Sequence, residues 1–223
     1  MYELTQTNPY VASVAAAYDS WARSYEEDTR NWSYIAAQKV ALAIVEKAQG
    51  LLRHIVDAGI GTGQVIDRLK QDFPQASYSG LEISPNMIDE CRKKHSGIRL
   101  HHCNINDDLW PIESGNADAV TCAGVLSMIG NLDHVFNQVS QTLKVGGQFS
   151  TSFLIRQETE VDMLHEAEPY KLFPRSYEDM HEKAEKAGLK LVDENDGKEF
   201  VGFKVAGYAE IYGFCVYQKP KIG

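Results

Sequence analysis

No stretch of this sequence approaches the roughly twenty consecutive apolar residues that a bilayer-spanning helix requires. The opening MYELTQTNPY also lacks the basic segment and apolar core of a secretory signal. Membrane insertion and secretion are therefore not expected, and the expected compartment is the cytoplasm. Basic residues are few: 22 Lys and Arg stand against 31 Asp and Glu, for a formal net charge of -9. Such a surface repels a phosphate backbone, because non-specific nucleic-acid binding needs clustered cations. Nucleic acid is not an expected partner. Cysteine is sparse too, and Cys91, Cys103, Cys122 and Cys215 form no CxxC pair. A chain of 223 residues can bury a core without covalent staples, so these read as free thiols of a reducing compartment. Internal repeats and Pro/Ser-rich linkers are missing as well, which leaves a single domain over residues 1–223.

What is present is an alternation. An N-terminal region, residues 1–50, carries two helical patterns, over 11–28 and 33–49. In the core, residues 51–223, short apolar runs then alternate with helical segments. HIVDA at 54–58 precedes GQVIDRLKQDF, YSGLEI precedes SPNMIDECRKKH, and IRLHHC stands at 98–103. ADAVTCAGV then precedes NLDHVFNQVSQTL, and GGQFSTSFLI follows at 146–155. This order predicts a parallel sheet wound on both faces. Ser84 is placed to cap a helix opened by Pro85, and Gly146 with Gly147 to close the one ending near Leu143. After SYEDMHEKAEKAG, the runs LKLVDEN and VAGYAEIYGFCVYQK have no helix between them and should pair antiparallel. Residues 156–175 fit neither pattern and are expected to form a short cap over the open end of the sheet.

The stretch IVDAGIGTG at 55–63 brings an acidic strand end into a turn with Gly59, Gly61 and Gly63 at every second position. Glycine lets a backbone approach a ligand closely at the carboxyl edge of a sheet. A dinucleotide fingerprint would place its third glycine three positions after the second, where this chain has Gln64, and the phosphate-loop lysine is missing. With Asp57 before it, the turn resembles motif I of the class I methyltransferases that use S-adenosylmethionine. GLEISPNMIDECRKK is similar to that family's second strand and following helix, and AYDSWARSYEEDTR resembles the N-terminal YDxWAxxYD helix of its small-molecule branch, including the Williams-Beuren syndrome region methyltransferases. The resemblance runs from about Tyr18 to the end of the chain. It implies an α/β, Rossmann-like, doubly wound seven-stranded sheet, mostly parallel with an antiparallel last strand, preceded by N-terminal helices.

The resemblance also implies a cofactor, S-adenosyl-L-methionine, released as S-adenosyl-L-homocysteine, and residues to hold it. Glu82 ends the second strand about twenty residues after the turn, where a carboxylate accepts both ribose hydroxyls. That carboxylate is expected at a solvent-accessible strand end. Ile83 occupies the position that packs on adenine, followed by Met87. The third strand ends in CNIND, where the family commonly has Gly-Asp and an apolar residue. Asn104 stands at the aspartate position, its side-chain oxygen able to meet the adenine amino group, and Ile105 follows. Ala123 lies just after the fourth strand. Tyr18 and Tyr25 fall near the methionine end, while Trp21, Trp32, Ser127 and Met128 are candidates for lining a substrate cavity. Aromatics at helical spacing usually pack, and Trp21 is equally readable that way.

Methyl transfer from a sulfonium is an in-line displacement, so the protein mainly aligns the reactants and excludes water. CAGVLSM after the fourth strand has neither the Pro-Pro-Tyr pattern of nitrogen methyltransferases nor the carboxylate of the magnesium-dependent catechol enzymes. No metal is expected. The consecutive His101 and His102 point to opposite faces of a strand and cannot jointly hold one. His165, in the expected cap, is the candidate catalytic base, although an ordinary solvated histidine is the plainer reading of it. The expected function is methyl transfer to a small-molecule acceptor, with oxygen as the expected nucleophile. A cofactor-binding relative without transfer, a protein or peptide methyltransferase, and a nicotinamide oxidoreductase are the alternatives.

Overall fold

The computed structural model describes residues 8–159, 172–192, 198–205 and 208–221. Its N-terminal part holds α1 (Pro9–Trp21), α2 (Tyr25–Asn31) and α3 (Ala36–Lys47). The first expected helix is thus two, broken at residues 22–24, where Ser24 N–H turns back to the Trp21 carbonyl at 3.0 Å. The Trp21 indole meanwhile donates to Asp28 at 2.7 Å, an interaction across the break that periodicity does not reveal. The NPY at residues 8–10 starts α1: Asn8 accepts Tyr10 N–H, and Pro9 occupies the first turn.

Then follow β1 (His54–Ala58), α4 (Gln64–Asp72), β2 (Ser77–Glu82), α5 (Pro85–Lys94), β3 (Arg99–His102) and β4 (Ala117–Cys122). After a 3-10 turn at Leu126–Met128 come α6 (Leu132–Thr142), β5 (Leu143–Thr159), α7 (Tyr177–Lys186), β6 (Lys190–Leu191), β7 (Phe200–Val205) and β8 (Tyr208–Gln218). The strand order is β3-β2-β1-β4-β5-β8-β6, parallel from β3 to β5 and antiparallel at β8. An eighth strand, β7, pairs with β8 off this seven-stranded path. It arises because residues 200–205, N-terminal to the expected last strand, form a further strand antiparallel to β8. Ser84 caps α5 by accepting Met87 N–H at 3.1 Å, as its place before Pro85 predicts. β5 continues through Thr159, so residues 156–159 are strand rather than cap. Most of the expected cap, with His165, lies outside the described residues.

Every residue of β1 is buried, as a central parallel strand covered on both faces requires. On one face Phe136 of α6 packs edge-on to Phe149 of β5 at 5.6 Å and Tyr217 of β8 at 5.9 Å. On the other, Ile44 of α3 and Ile66 and Leu69 of α4 close over Ile55 and Ala119. These two cores fix the carboxyl edge of the sheet, where β1, β2 and β4 release their loops toward α1 and α2. Among the described residues no helix is long and apolar enough to cross a membrane.

Candidate functional site

The turn after β1 uses left-handed backbone at Gly59 (φ 76°), Gly61 (φ 53°) and Gly63 (φ 91°), a region other residues enter only with strain. The N–H groups of Gly59 and Ile60 both donate to the Leu81 carbonyl, at 2.8 and 3.0 Å, which pins the turn to β2. A Cβ on Gly59 would strike Val125, whereas Gly61 faces open space. Gly63 caps α4, and a Cβ there would lie 2.8 Å from the His95 ring. Gly63→Ala is expected to lower stability by about 1–2 kcal/mol from the left-handed backbone alone, with the clash added. Urea unfolding checks this; a midpoint equal to the parent's would refute it.

Across this turn opens a largely apolar cavity at the carboxyl edge of the sheet. One side is α1, through Val11, Val14 and Tyr18; the other is formed by the loops after β1, β3 and β4. The helical lid is tied down by carboxylates. Asp19 accepts the Ser84 hydroxyl at 2.5 Å and Asn86 N–H at 3.0 Å, and Glu26 accepts the Thr62 hydroxyl and Lys94 Nζ. Gln64 Nε2 adds a bond to Thr29 at 2.8 Å.

Two acids stand beneath the turn. Glu82 is 7% exposed, a correction to the expected solvent-accessible strand end. Its Oε2 accepts Gly61 N–H and its Oε1 accepts the N–H groups of Ile83 and Ser84, each at 2.9 Å. The loop has folded around the carboxylate. Burial raises its pKa, against the lowering effect of those three bonds. Asp57 is buried as well: Oδ1 accepts the Thr121 hydroxyl at 2.7 Å, and Oδ2 has no hydrogen-bond partner among the described residues. Burial pushes its pKa up to about 7, with the Thr121 bond opposing and the Glu82 charge adding to the rise.

Of the residues singled out from the sequence, Tyr18, Tyr25, Gly59, Gly61, Glu82, Ile83, Asn104, Ile105, Ala123 and Met128 line this cavity. Asp57, Gly63 and Met87 stand behind its wall, Met87 wholly buried on α5. Trp21, Trp32 and Ser127, expected to line a substrate cavity, are not on this wall. The Trp21 ring packs on Tyr25 at 4.7 Å and Trp32 at 5.3 Å, and buried Ser127 presents its carbonyl to Phe173 N–H at 2.7 Å. Asn104 is on the wall, but its oxygen closes its own turn on Asn106 N–H at 3.1 Å instead of standing ready for an adenine amino group. Lining residues the sequence reading passed over include Tyr10, Asn106 and Gly124. The Tyr10 hydroxyl donates to the Met128 carbonyl at 3.2 Å, and Asn106 Oδ1 accepts the N–H groups of Gly130 and Asn131. The spacing of Val11, Val14 and Tyr18 was a usable signal, since it places one helix face toward the sheet edge. Among the described residues no three His, Cys, Asp or Glu side chains converge as a metal site.

A doubly wound sheet with a left-handed glycine turn and an acidic second strand end opens on an apolar cavity at its carboxyl edge, the place where open α/β sheets receive ligands. The methyltransferase domain family matches residues 55–147, and the chain is similar in sequence and in fold to known methyltransferases. It is 24% identical to a malonyl-[acyl-carrier protein] O-methyltransferase of Hahella chejuensis, over 66% of this chain and 51% of that protein. It is 28% identical to a ubiquinone/menaquinone biosynthesis C-methyltransferase of Desulfotalea psychrophila, over 42% of this chain and 38% of that one. The chain thus spans about half or less of the length of these curated relatives. The fold is shared with magnesium protoporphyrin IX methyltransferase of Synechocystis PCC 6803, solved with bound S-adenosylhomocysteine, at a TM-score of 0.68 and 16% identity, covering 94% of this chain and 99% of that one.

Proposed function

We propose that this protein transfers the methyl group of S-adenosylmethionine to an oxygen atom of a small molecule. The observation that carries the cofactor assignment is the buried Glu82 carboxylate beside the left-handed Gly59 and Gly61, in a chain whose core matches the methyltransferase domain. The donor set suits the cofactor: Glu82 for the ribose hydroxyls, Ile83 and Ile105 for the adenine faces, and Gly59 and Gly61 for close approach of the amino-acid portion. Asp57, with its unpartnered oxygen behind the turn, supplies negative potential toward a cationic ligand. When bound, the cofactor supplies a methyl group already activated on a sulfonium. The chain contributes alignment and dryness: α1 and α2, latched through Asp19 and Glu26, close the cavity, and Tyr18 and Tyr25 confine the reacting end. The oxygen acceptor is supported by the relative from Hahella chejuensis, whose name is that of an O-methyltransferase.

Calorimetric binding of S-adenosylmethionine, followed by mass spectrometry of metabolite extracts for a gain of one methyl group, tests this reading. Cofactor binding without S-adenosylhomocysteine formation on any extract would favour a binding protein, and preferential binding of a nicotinamide dinucleotide would overturn the assignment. Turnover is expected to persist in excess EDTA, because the segment after β4 carries no carboxylate to hold magnesium. Loss of turnover on chelation with recovery on adding magnesium would count against this mechanism.

A further inference from the structure

The loop after β4 forms one wall of the cavity through Val125, Met128 and Ile129, and the first turns of α1 add Tyr10, Val11 and Val14. This wall stands apart from the proposed ribose seat. In the strand order β2-β1-β4, the end of β4 lies two strands from Glu82, about 10 Å at the usual spacing. Helix α1 bridges the two places: Tyr10 bonds the Met128 carbonyl at one end, and Asp19 bonds Ser84, two residues beyond Glu82, at the other. From residue 10 to residue 19 the helix rises about 13 Å. A cofactor held by Glu82 and the glycine turn therefore leaves the end marked by Tyr10 and Met128 for the second reactant.

The polar groups of this end are already engaged. The Leu126 and Ile129 carbonyls accept the Arg175 guanidinium, the Ser127 carbonyl accepts Phe173 N–H at 2.7 Å, and the Met128 carbonyl accepts the Tyr10 hydroxyl at 3.2 Å. Asn106, on the adjoining wall, accepts the N–H groups of Gly130 and Asn131 at Oδ1 and donates from Nδ2 to Asp107 at 2.7 Å. Burial raises the pKa of Tyr10, against the lowering effect of Arg175, so the phenol keeps its proton as a donor. Arg175 is spent on the loop's carbonyls and on the Phe173 ring, 5.4 Å away, and is not on the cavity wall. Among the described residues that line the cavity there is no Lys, Arg or His, and Glu82 is the one acid. What this end offers a ligand is then carbon: valine, isoleucine and methionine side chains and a phenol ring. A charge carried there would lose its water and meet no opposite charge among the described lining residues, whereas an apolar body gains from burial.

We propose that Tyr10, Val11, Val14, Met128 and Ile129 seat the methyl acceptor and select an uncharged molecule whose apolar body adjoins the reacting oxygen. This rests on the methyltransferase reading above and adds the acceptor class to it. The test uses protein saturated with S-adenosylhomocysteine and three phenols of similar size: 4-propylphenol, tyramine with its ammonium, and 3-(4-hydroxyphenyl)propanoate with its carboxylate. In NMR titrations at neutral pH the uncharged phenol is expected to shift the Met128 methyl signal and to bind at least about tenfold more tightly than either ion. Met128→Gln, of nearly equal size, should weaken 4-propylphenol by about tenfold and leave S-adenosylhomocysteine affinity within about twofold of the parent's, while Met128→Leu should bind the phenol as the parent does. Leu109→Ala, at a leucine 79% exposed and outside the cavity, should change neither affinity. No measurable binding of 4-propylphenol, equal affinity for either ion, or undiminished binding in folded Met128→Gln would each overturn the proposal. A parallel loss of S-adenosylhomocysteine affinity in Met128→Gln would overturn it too, since the wall would then belong to the cofactor. Failure of the parent to bind S-adenosylhomocysteine is read separately in the same samples and would instead overturn the cofactor assignment.

Discussion

Glu82→Ala is expected to weaken S-adenosylmethionine binding by at least about tenfold, and by more if both ribose hydroxyls use the carboxylate, since each charged hydrogen bond is worth about 1.5–3 kcal/mol. The structure adds a second consequence. The carboxylate also accepts the N–H groups of Gly61, Ile83 and Ser84, so its removal strands three backbone donors in a buried loop. The free protein should therefore lose stability as well, and affinity must be measured well below the variant's melting temperature. Glu82→Gln separates the two effects: it keeps the volume and one acceptor oxygen while removing the charge. Its melting temperature should fall less than that of Glu82→Ala, while its affinity should stay depressed. Calorimetry on both variants, with circular dichroism to confirm folding, decides the matter. Parent-like affinity in a folded Glu82→Ala protein would refute the ribose assignment.

The parts of this fold that were legible in the sequence are those written by strong local rules. The alternation of apolar runs with helical segments predicted the strands β1 to β5 and their parallel arrangement, because each element shows its own period. The cap Ser84-Pro85 and the glycines after β1 were readable because few other residues serve in those conformations. What was not legible depended on partners distant in the chain. The break at residues 22–24 follows from Trp21 reaching Asp28. The burial of Glu82 follows from a loop that turns its N–H groups inward. Strand β7 is apolar in sequence, but it follows an exposed polar segment, and its pairing with β8 depends on a partner strand that its own residues do not indicate.

The candidate site divides in the same way. Glycines and acidic strand ends belong to the turn itself and were readable in the local sequence. Tyr10 and Asn106 work through contacts with Met128, Gly130 and Asn131, more than twenty residues away, and nothing in their local sequence marks them. Trp21 and Trp32 misled for the opposite reason: conspicuous aromatics on the resembling helix pack on each other and on Tyr25, and so hold the lid's shape without lining the cavity.

Asp57 is where pH should reveal the site. In the unfolded chain its carboxyl ionises near the ordinary value of 3.8, whereas in the fold burial raises this to about 7. Between these values the folded protein holds a proton that the unfolded chain has released, so this group's contribution to stability is full at low pH and declines as pH rises through 7. Three pH units at about 1.4 kcal/mol each make that decline on the order of 4 kcal/mol. Asp57→Asn removes the ionisation and keeps an oxygen for the Thr121 hydroxyl. The variant is therefore expected to gain stability over the parent progressively from about pH 4 to pH 7, and to hold a constant advantage above. The same charge that destabilises the free protein should favour a cationic ligand. Cofactor binding near pH 6 should then release protons from the parent but fewer from Asp57→Asn, and at pH 8 the variant should bind S-adenosylmethionine more weakly despite its greater stability. Melting temperatures across this range, with calorimetry in buffers of different ionisation enthalpy, read both effects. A stability difference that does not change with pH would show that Asp57 titrates as an ordinary carboxylate, and its orphaned oxygen would then need water rather than a ligand to satisfy it.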